Sequence, residues 1–126
     1  MYERDYATQH LGIKVQEVGP DYAILTMVVE PYMVNGHDIC HGGMTYTLAD
    51  SAFAYACNAQ DVAMVASGCV IDYLAPAHKG DTLTAIARES ASSGRQKVFD
   101  AVVTNQNGAV IATFRGRAAS LKKNVL

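Results

Sequence analysis

The spacing of apolar and polar positions divides the chain into one long helical stretch and six strand-like ones. Ile13–Val18 and Tyr22–Glu30 read as strands, separated by Gly19-Pro20-Asp21, where proline presets φ and glycine tolerates left-handed geometry. Glu30-Pro31 ends the second of these. Val62–Leu74 is rich in β-formers and small residues, and Pro76 closes it. Asp81–Ser90 alternates Leu83, Ala85 and Ala87 with Thr82, Thr84, Ile86 and Arg88, the period of a half-buried strand. Ser92-Ser93-Gly94 turns the chain into a strand at Lys97–Thr104. Asn105-Gln106-Asn107-Gly108 is a hairpin-like turn into a last strand at Ala109–Leu121. Met1–Leu11 predicts a short helix, terminated by Gly12.

Between the second and third strands, Val34–Gly43 reads as a loop, because Asn35-Gly36 and Gly42-Gly43 are too permissive for a regular element. Met44–Asn58 follows with no Pro or Gly, and its apolar residues lie on nearly every side: Met44, Leu48, Ala49, Ala52, Phe53, Ala56 and Cys57. A helix that is apolar all round is a buried one. Short connections between the later strands imply antiparallel neighbours. The fold class is therefore α+β, a curved antiparallel sheet wrapped around one long central helix. The side of the helix that the sheet leaves uncovered needs a partner, and a second copy of the chain supplies it. An obligate dimer follows.

A length of 126 residues suits one domain over the whole chain. Such a domain removes about 65–70% of its unfolded surface from water, enough for a core without staples. The net charge of −2 excludes a strongly basic nucleic-acid binder and a disordered acidic tail. The charge is unevenly spread, with two basic and nine acidic side chains up to His78 and eight basic and three acidic beyond it. That basic end is either a solvated strand face or an attractor for an anionic ligand. The longest apolar or small run is Val62–Ile71, half the length a membrane-spanning helix needs, and no export signal opens the chain. Cys40, Cys57 and Cys69 form no C-x-x-C pair, which points to a reducing cytoplasm.

Against this background Asp50 is the anomaly, the only charge on the buried helix. A buried carboxylate costs several kcal/mol unless it is paired or hydrogen-bonded. No Lys or Arg lies between Lys14 and Lys79, so either nearby hydroxyls (Tyr46, Thr47, Ser51) satisfy it or it acts as a general base or nucleophile. Gly42-Gly43 stands just before the same helix, where unpaired N–H groups and the positive dipole end favour developing negative charge. Eight residues separate Gly42 from Asp50, roughly 12 Å of helix rise. One chain cannot bring both to one carbonyl; two antiparallel helices across a two-fold axis can. His37, Asp38, Cys40 and His41 resemble metal ligands in type, yet no second cluster completes the set, so no metal is expected. A Cys40–His41 nucleophile pair is disfavoured, since adjacent side chains rarely face each other. The Ser92–Lys97 turn, with Arg95 and Lys97, is either an ordinary hairpin tip or a place for phosphate groups.

Asn35-Gly36-His37, Cys40-His41-Gly42-Gly43, Leu48-Ala49-Asp50 and Phe53-Ala54-Tyr55-Ala56-Cys57-Asn58, in this order, resemble the acyl-CoA thioesterases of the phenylacetate-degradation (PaaI) type. The likeness continues through Asp72-Tyr73-Leu74-Ala75-Pro76, Gly80-Asp81-Thr82-Leu83 and Phe114-Arg115-Gly116. It implies a hotdog fold, a cytoplasmic dimer assembled into a homotetramer, and hydrolysis of a thioester to a free acid and coenzyme A without a cofactor. It also implies roles for single residues. Asp50 would activate water or attack the thioester, and the Gly42 N–H of the neighbouring protomer would polarise the carbonyl. Asn35 would help hold the nucleophile or water, and His41 would support the oxyanion loop. Some relatives with Glu as the acid carry a water-holding Thr one turn later; here that residue is Ala54. Met44, Tyr46 and Phe53 either line an aromatic pocket for aryl-acetyl groups or are core packing, Gly43 is a substrate-binding candidate beside Gly42, and Arg95 and Lys97 are candidates to meet the coenzyme A phosphates. Two other readings stand beside this one: a hydratase or dehydratase, which needs a His base that the helix lacks, and a non-catalytic acyl-CoA binder.

Overall fold

A computed structural model describes residues 2–59 and 63–121. A 3-10 turn at Tyr2–Arg4 leads into a short helix α1 (Tyr6–His10). Strands β1 (Lys14–Gly19) and β2 (Tyr22–Val28) follow, then a 3-10 turn at Pro31–Met33 and the long helix α2 (Gly42–Cys57). Strands β3 (Met64–Tyr73), β4 (Thr82–Ser93), β5 (Gln96–Thr104) and β6 (Val110–Ser120) complete the chain. The six strands form one sheet in the order β1-β2-β4-β5-β6-β3, antiparallel at every pairing. This is the hotdog architecture, with the sheet curled around α2.

The alternation along the strands explains the wrap. Ala23, Leu25 and Met27 of β2, Leu83, Ala85 and Ala87 of β4, and Phe99, Ala101 and Val103 of β5 are all buried. They meet Leu48, Ala49, Ala52, Phe53 and Ala56 of α2 in the same cluster. Phe53 is the centre of this contact, with its ring centroid 5.7 Å from those of both Phe99 and Phe114. A Cβ on Gly116 would lie 2.8 Å from the Phe53 ring. Gly116→Ala is therefore expected to cost about 1–3 kcal/mol by overpacking. The check is a lower urea midpoint at unchanged slope; an unshifted midpoint would show that Phe53 moves aside freely.

Several boundaries differ from the sequence expectation. The N-terminal helix is a 3-10 turn plus a five-residue helix, with Asp5 capping α1 through Thr8 N–H. Met1 and Val62 lie outside the described residues, as do Lys122 and Lys123 of the basic end. The predicted turn at Ser92–Gly94 is instead the last part of β4, and only Gly94 and Arg95 link it to β5, with φ +60° at Gly94. The long helix starts at Gly42, two residues earlier than expected, because His41 caps it.

The exposed side of α2 also differs. Only Gly43 is exposed, and the half-buried residues Met44, Tyr46, Thr47, Asp50, Ser51 and Ala54 mix apolar with polar side chains. Exposed apolar side chains gather instead on and just after the edge strand β3: Val65, Val70, Tyr73 and Leu74. The surface that calls for a partner is thus on the strand as well as the helix. A ten-residue edge with unpaired backbone groups and apolar side chains is a surface that folded proteins ordinarily cover.

Candidate active site

The loop before α2 is built by Asn35. Its Oδ1 accepts from the N–H groups of His37 (2.8 Å) and Ile39 (3.2 Å), its N–H donates to Ile39 O, and Asp38 takes the left-handed conformation at φ 60°. Cys40 N–H donates to Ala77 O at 2.7 Å and His41 N–H to Met33 O at 2.7 Å. These bonds tie the loop to the segment after β3 and to the turn after β2.

His41 then closes the helix start. Its Nδ1 accepts from Gly43 N–H at 3.1 Å. This assigns the neutral ring's proton to Nε2. Its carbonyl oxygen accepts from Met44 N–H at 2.9 Å. Two of the orphan donors of the first turn are thereby satisfied. Gly42 N–H is not: among the described residues it has no acceptor. Of the two glycines expected to present donors, Gly43 does not, because its N–H is taken by the His41 cap and its carbonyl by the Thr47 hydroxyl (2.8 Å).

Gly42 faces a cleft of about 400 Å³, lined also by Asn35, Ile39, Cys40, Thr45, Tyr73, Leu74, Ala75, Pro76, Ala77 and Ile111. The Tyr73 hydroxyl donates to Gly42 O at 2.8 Å. Nothing in the sequence pattern singled out Tyr73 for this contact. It arises because β3 lies beside β6 at the sheet edge and ends next to the helix start.

Asp50 is not among the residues lining this cleft. It sits two turns further along α2, half-buried, and makes no hydrogen bond or ion pair among the described residues. Burial pushes its carboxyl above the ordinary aspartate range. Two of the three nearby hydroxyls are engaged elsewhere, Thr47 donating to Gly43 O and Tyr46 Oη lying 2.8 Å from Cys69 Sγ, and Ser51 makes no hydrogen bond to Asp50. The hydroxyl-satisfied reading of Asp50 is therefore not the one realised in this chain.

The remaining candidates separate. Phe53 is 1% exposed and packs between Phe99 and Phe114, so within the chain it is core and not pocket wall. Tyr46 is half-buried, its ring edge-on to Phe114 at 5.8 Å, and its hydroxyl is pushed up to about 12, first by the Cys69 hydrogen bond. Lys97 is paired with Glu89 at 3.2 Å, and the Arg95 guanidinium donates twice to Ser120 O. Arg115 makes a two-pronged pair with Asp100 at 2.7 and 3.0 Å. Arg88 stacks over the Tyr22 ring at 5.3 Å. Much of the basic end is thus absorbed by partners on the sheet itself.

An antiparallel hotdog sheet around a helix that opens on a free glycine N–H and carries a lone acid defines a class, and residues 37–112 match that class, the thioesterase superfamily. The chain belongs to this superfamily. It is 46% identical over 118 residues to the acyl-coenzyme A thioesterase PaaI of Escherichia coli strain K12, covering 94% of this chain and 84% of that one. The solved structure of the E. coli PaaI protein from the phenylacetic acid degradation operon superposes with a TM-score of 0.95 at 44% identity, over 97% of this chain and 88% of that one. The TT0310 protein of Thermus thermophilus superposes at 0.89 with 36% identity, over 94% and 99%. The chain is an enzyme that hydrolyses acyl-CoA thioesters. Among the described residues, no helix is long and apolar enough to cross a membrane.

Proposed function

We propose that the chain hydrolyses aryl-acetyl thioesters of coenzyme A, of the phenylacetyl and ring-hydroxylated phenylacetyl kind, at sites shared by two protomers. One protomer supplies Gly42 N–H, which receives the thioester carbonyl oxygen. Asp50 of the other supplies the acid, either as the base that takes a proton from attacking water or as the nucleophile itself. In both routes the carbonyl oxygen carries the developing negative charge at the helix N-terminus as the carbon–sulfur bond breaks. In the first, water's oxygen adds to the carbon and its proton passes through Asp50 to the departing thiolate. In the second, an Asp50 oxygen adds, the thiolate leaves and takes a proton from solvent, and water then hydrolyses the mixed anhydride to the free acid and Asp50. Asn35 and His41 hold the loop that aims the amide.

The observation that carries this reading is the unpaired, half-buried Asp50, two helical turns from an equally unpaired Gly42 N–H. A fold does not retain a partly desolvated carboxylate without hydrogen bonds for stability. The separation of the two groups supports a site completed by a second chain, and the apolar β3 edge supports the pairing. A dimer, paired again into a tetramer, is the assembly in this reading. Its compartment is the cytoplasm, where Cys40, Cys57 and Cys69, all free, stay reduced.

The acyl specificity is tested by thiol release from phenylacetyl-CoA, hydroxyphenylacetyl-CoA and hexanoyl-CoA. The aryl esters are expected to exceed the straight chain in kcat/KM by about tenfold or more, the scale on which an apolar pocket discriminates. Equal rates would discard the aryl preference while leaving the thioesterase activity intact.

A further inference from the structure

We infer that Tyr73 is a positioning residue for hydrolysis, holding the Gly42 backbone so that its N–H points at the thioester carbonyl. The inference rests on the proposed role of Gly42 as oxyanion donor.

Glycine is the least restrained residue in the chain, and the first residue of a helix has no intrahelical partner for its N–H. A donor of this kind accelerates a reaction only if it is already aimed before charge develops. Three successive holds do that here. His41 O is fixed by Met44 N–H, Gly43 N–H by His41 Nδ1, and Gly42 O by the Tyr73 hydroxyl at 2.8 Å. The first two belong to the helix and its cap. The third comes from a different element, the end of β3.

The fit is steric as well as polar. A Cβ built on Gly42 would lie 3.2 Å from both Cζ and Oη of Tyr73. Gly42 is helical and needs no left-handed φ, so its backbone conformation does not demand glycine. What crowds a side chain at position 42 within this chain is Tyr73, which would have to give by a few tenths of an ångström. The two residues form a matched pair, and Tyr73, 51% exposed, makes little other use of its ring in the core.

The test is Tyr73→Phe, assayed by thiol release from phenylacetyl-CoA. Loss of one neutral hydrogen bond to the carbonyl that shares the Gly42 Cα with the donor N–H should lower kcat about five- to tenfold. KM should stay within about twofold and the thermal midpoint should shift little, since phenylalanine keeps the ring at the β3 edge and only the hydroxyl is lost. Gly42→Ala should cost less in the Tyr73→Phe background than in the wild type, because the added methyl and the lost hydroxyl contact both bear on residue 42. Unchanged kcat, a KM shift without a kcat loss, or strictly additive losses would overturn the inference. Asp50→Asn assayed alongside separates the two levels. An inactive Asp50→Asn enzyme with a fully active Tyr73→Phe enzyme removes Tyr73 alone, whereas an active Asp50→Asn enzyme removes the site itself.

Discussion

Asp50→Asn is expected to lower kcat for thioester hydrolysis by about 10²–10⁴-fold, the usual contribution of a positioned acid–base group, with KM little changed. The same substitution should raise the thermal midpoint at neutral pH. Burial holds the folded-state pKa of Asp50 above its unfolded value, so the native state disfavours the ionised form. The destabilisation is absent below the unfolded pKa, grows as pH rises through the folded one, and is fully present at neutrality. Asparagine removes it, and the difference between variant and wild type should close on acidification. The acidic limb of the pH–rate profile should accordingly lie above the ordinary aspartate range, with activity falling as pH drops through it. An Asp50→Asn protein that is both active and less stable than wild type would contradict the role assigned to this residue.

The second large effect concerns the sharing of sites. In the shared-site reading, Asp50→Asn homodimers should be nearly inactive and Gly42→Ala homodimers about tenfold below wild type. A heterodimer of the two carries one site with both lesions and one with neither. Equal mixing by co-expression should therefore restore about a quarter of wild-type turnover per chain, since half the dimers are hybrids with one good site of two. If each chain held a complete site, mixing would restore nothing. The steric argument at Tyr73 gives the Gly42 arm of this experiment its physical basis, since alanine at 42 must displace the tyrosine that grips the neighbouring carbonyl.

The elements were legible in the sequence because their signals are local. Period-two alternation in Asp81–Ser90, turn chemistry at Asn105–Gly108 and an uninterrupted helical run after Gly43 each report on a few residues. So was Asp50, because a lone charge in an apolar helix is conspicuous without coordinates. The errors have equally local causes. Gly42 and Gly43 looked like loop until the imidazole of His41 was seen to cap the helix through Gly43 N–H. The uncovered helix face looked apolar because a sequence does not say which third of a helix the sheet leaves open. Phe53 looked available to substrate until Phe99, Phe114 and Gly116 were found around it. Lys97 read equally as hairpin tip or phosphate ligand, and its pair with Glu89, eight residues earlier, forms only across the hairpin.

By itself, the sequence determined the six strands, the one long helix, the acid upon it and the glycines ahead of it, since propensity, periodicity and turn chemistry act within a few residues of each other. Only the tertiary structure decided which donors are spent and which remain. The placement of β3 beside β6 sets Tyr73 against Gly42, and the packing of α2 on the sheet leaves Asp50 half-buried with no hydrogen bond among the described residues. Those outcomes depend on groups dozens of residues apart meeting within hydrogen-bonding distance, and no local pattern encodes that meeting.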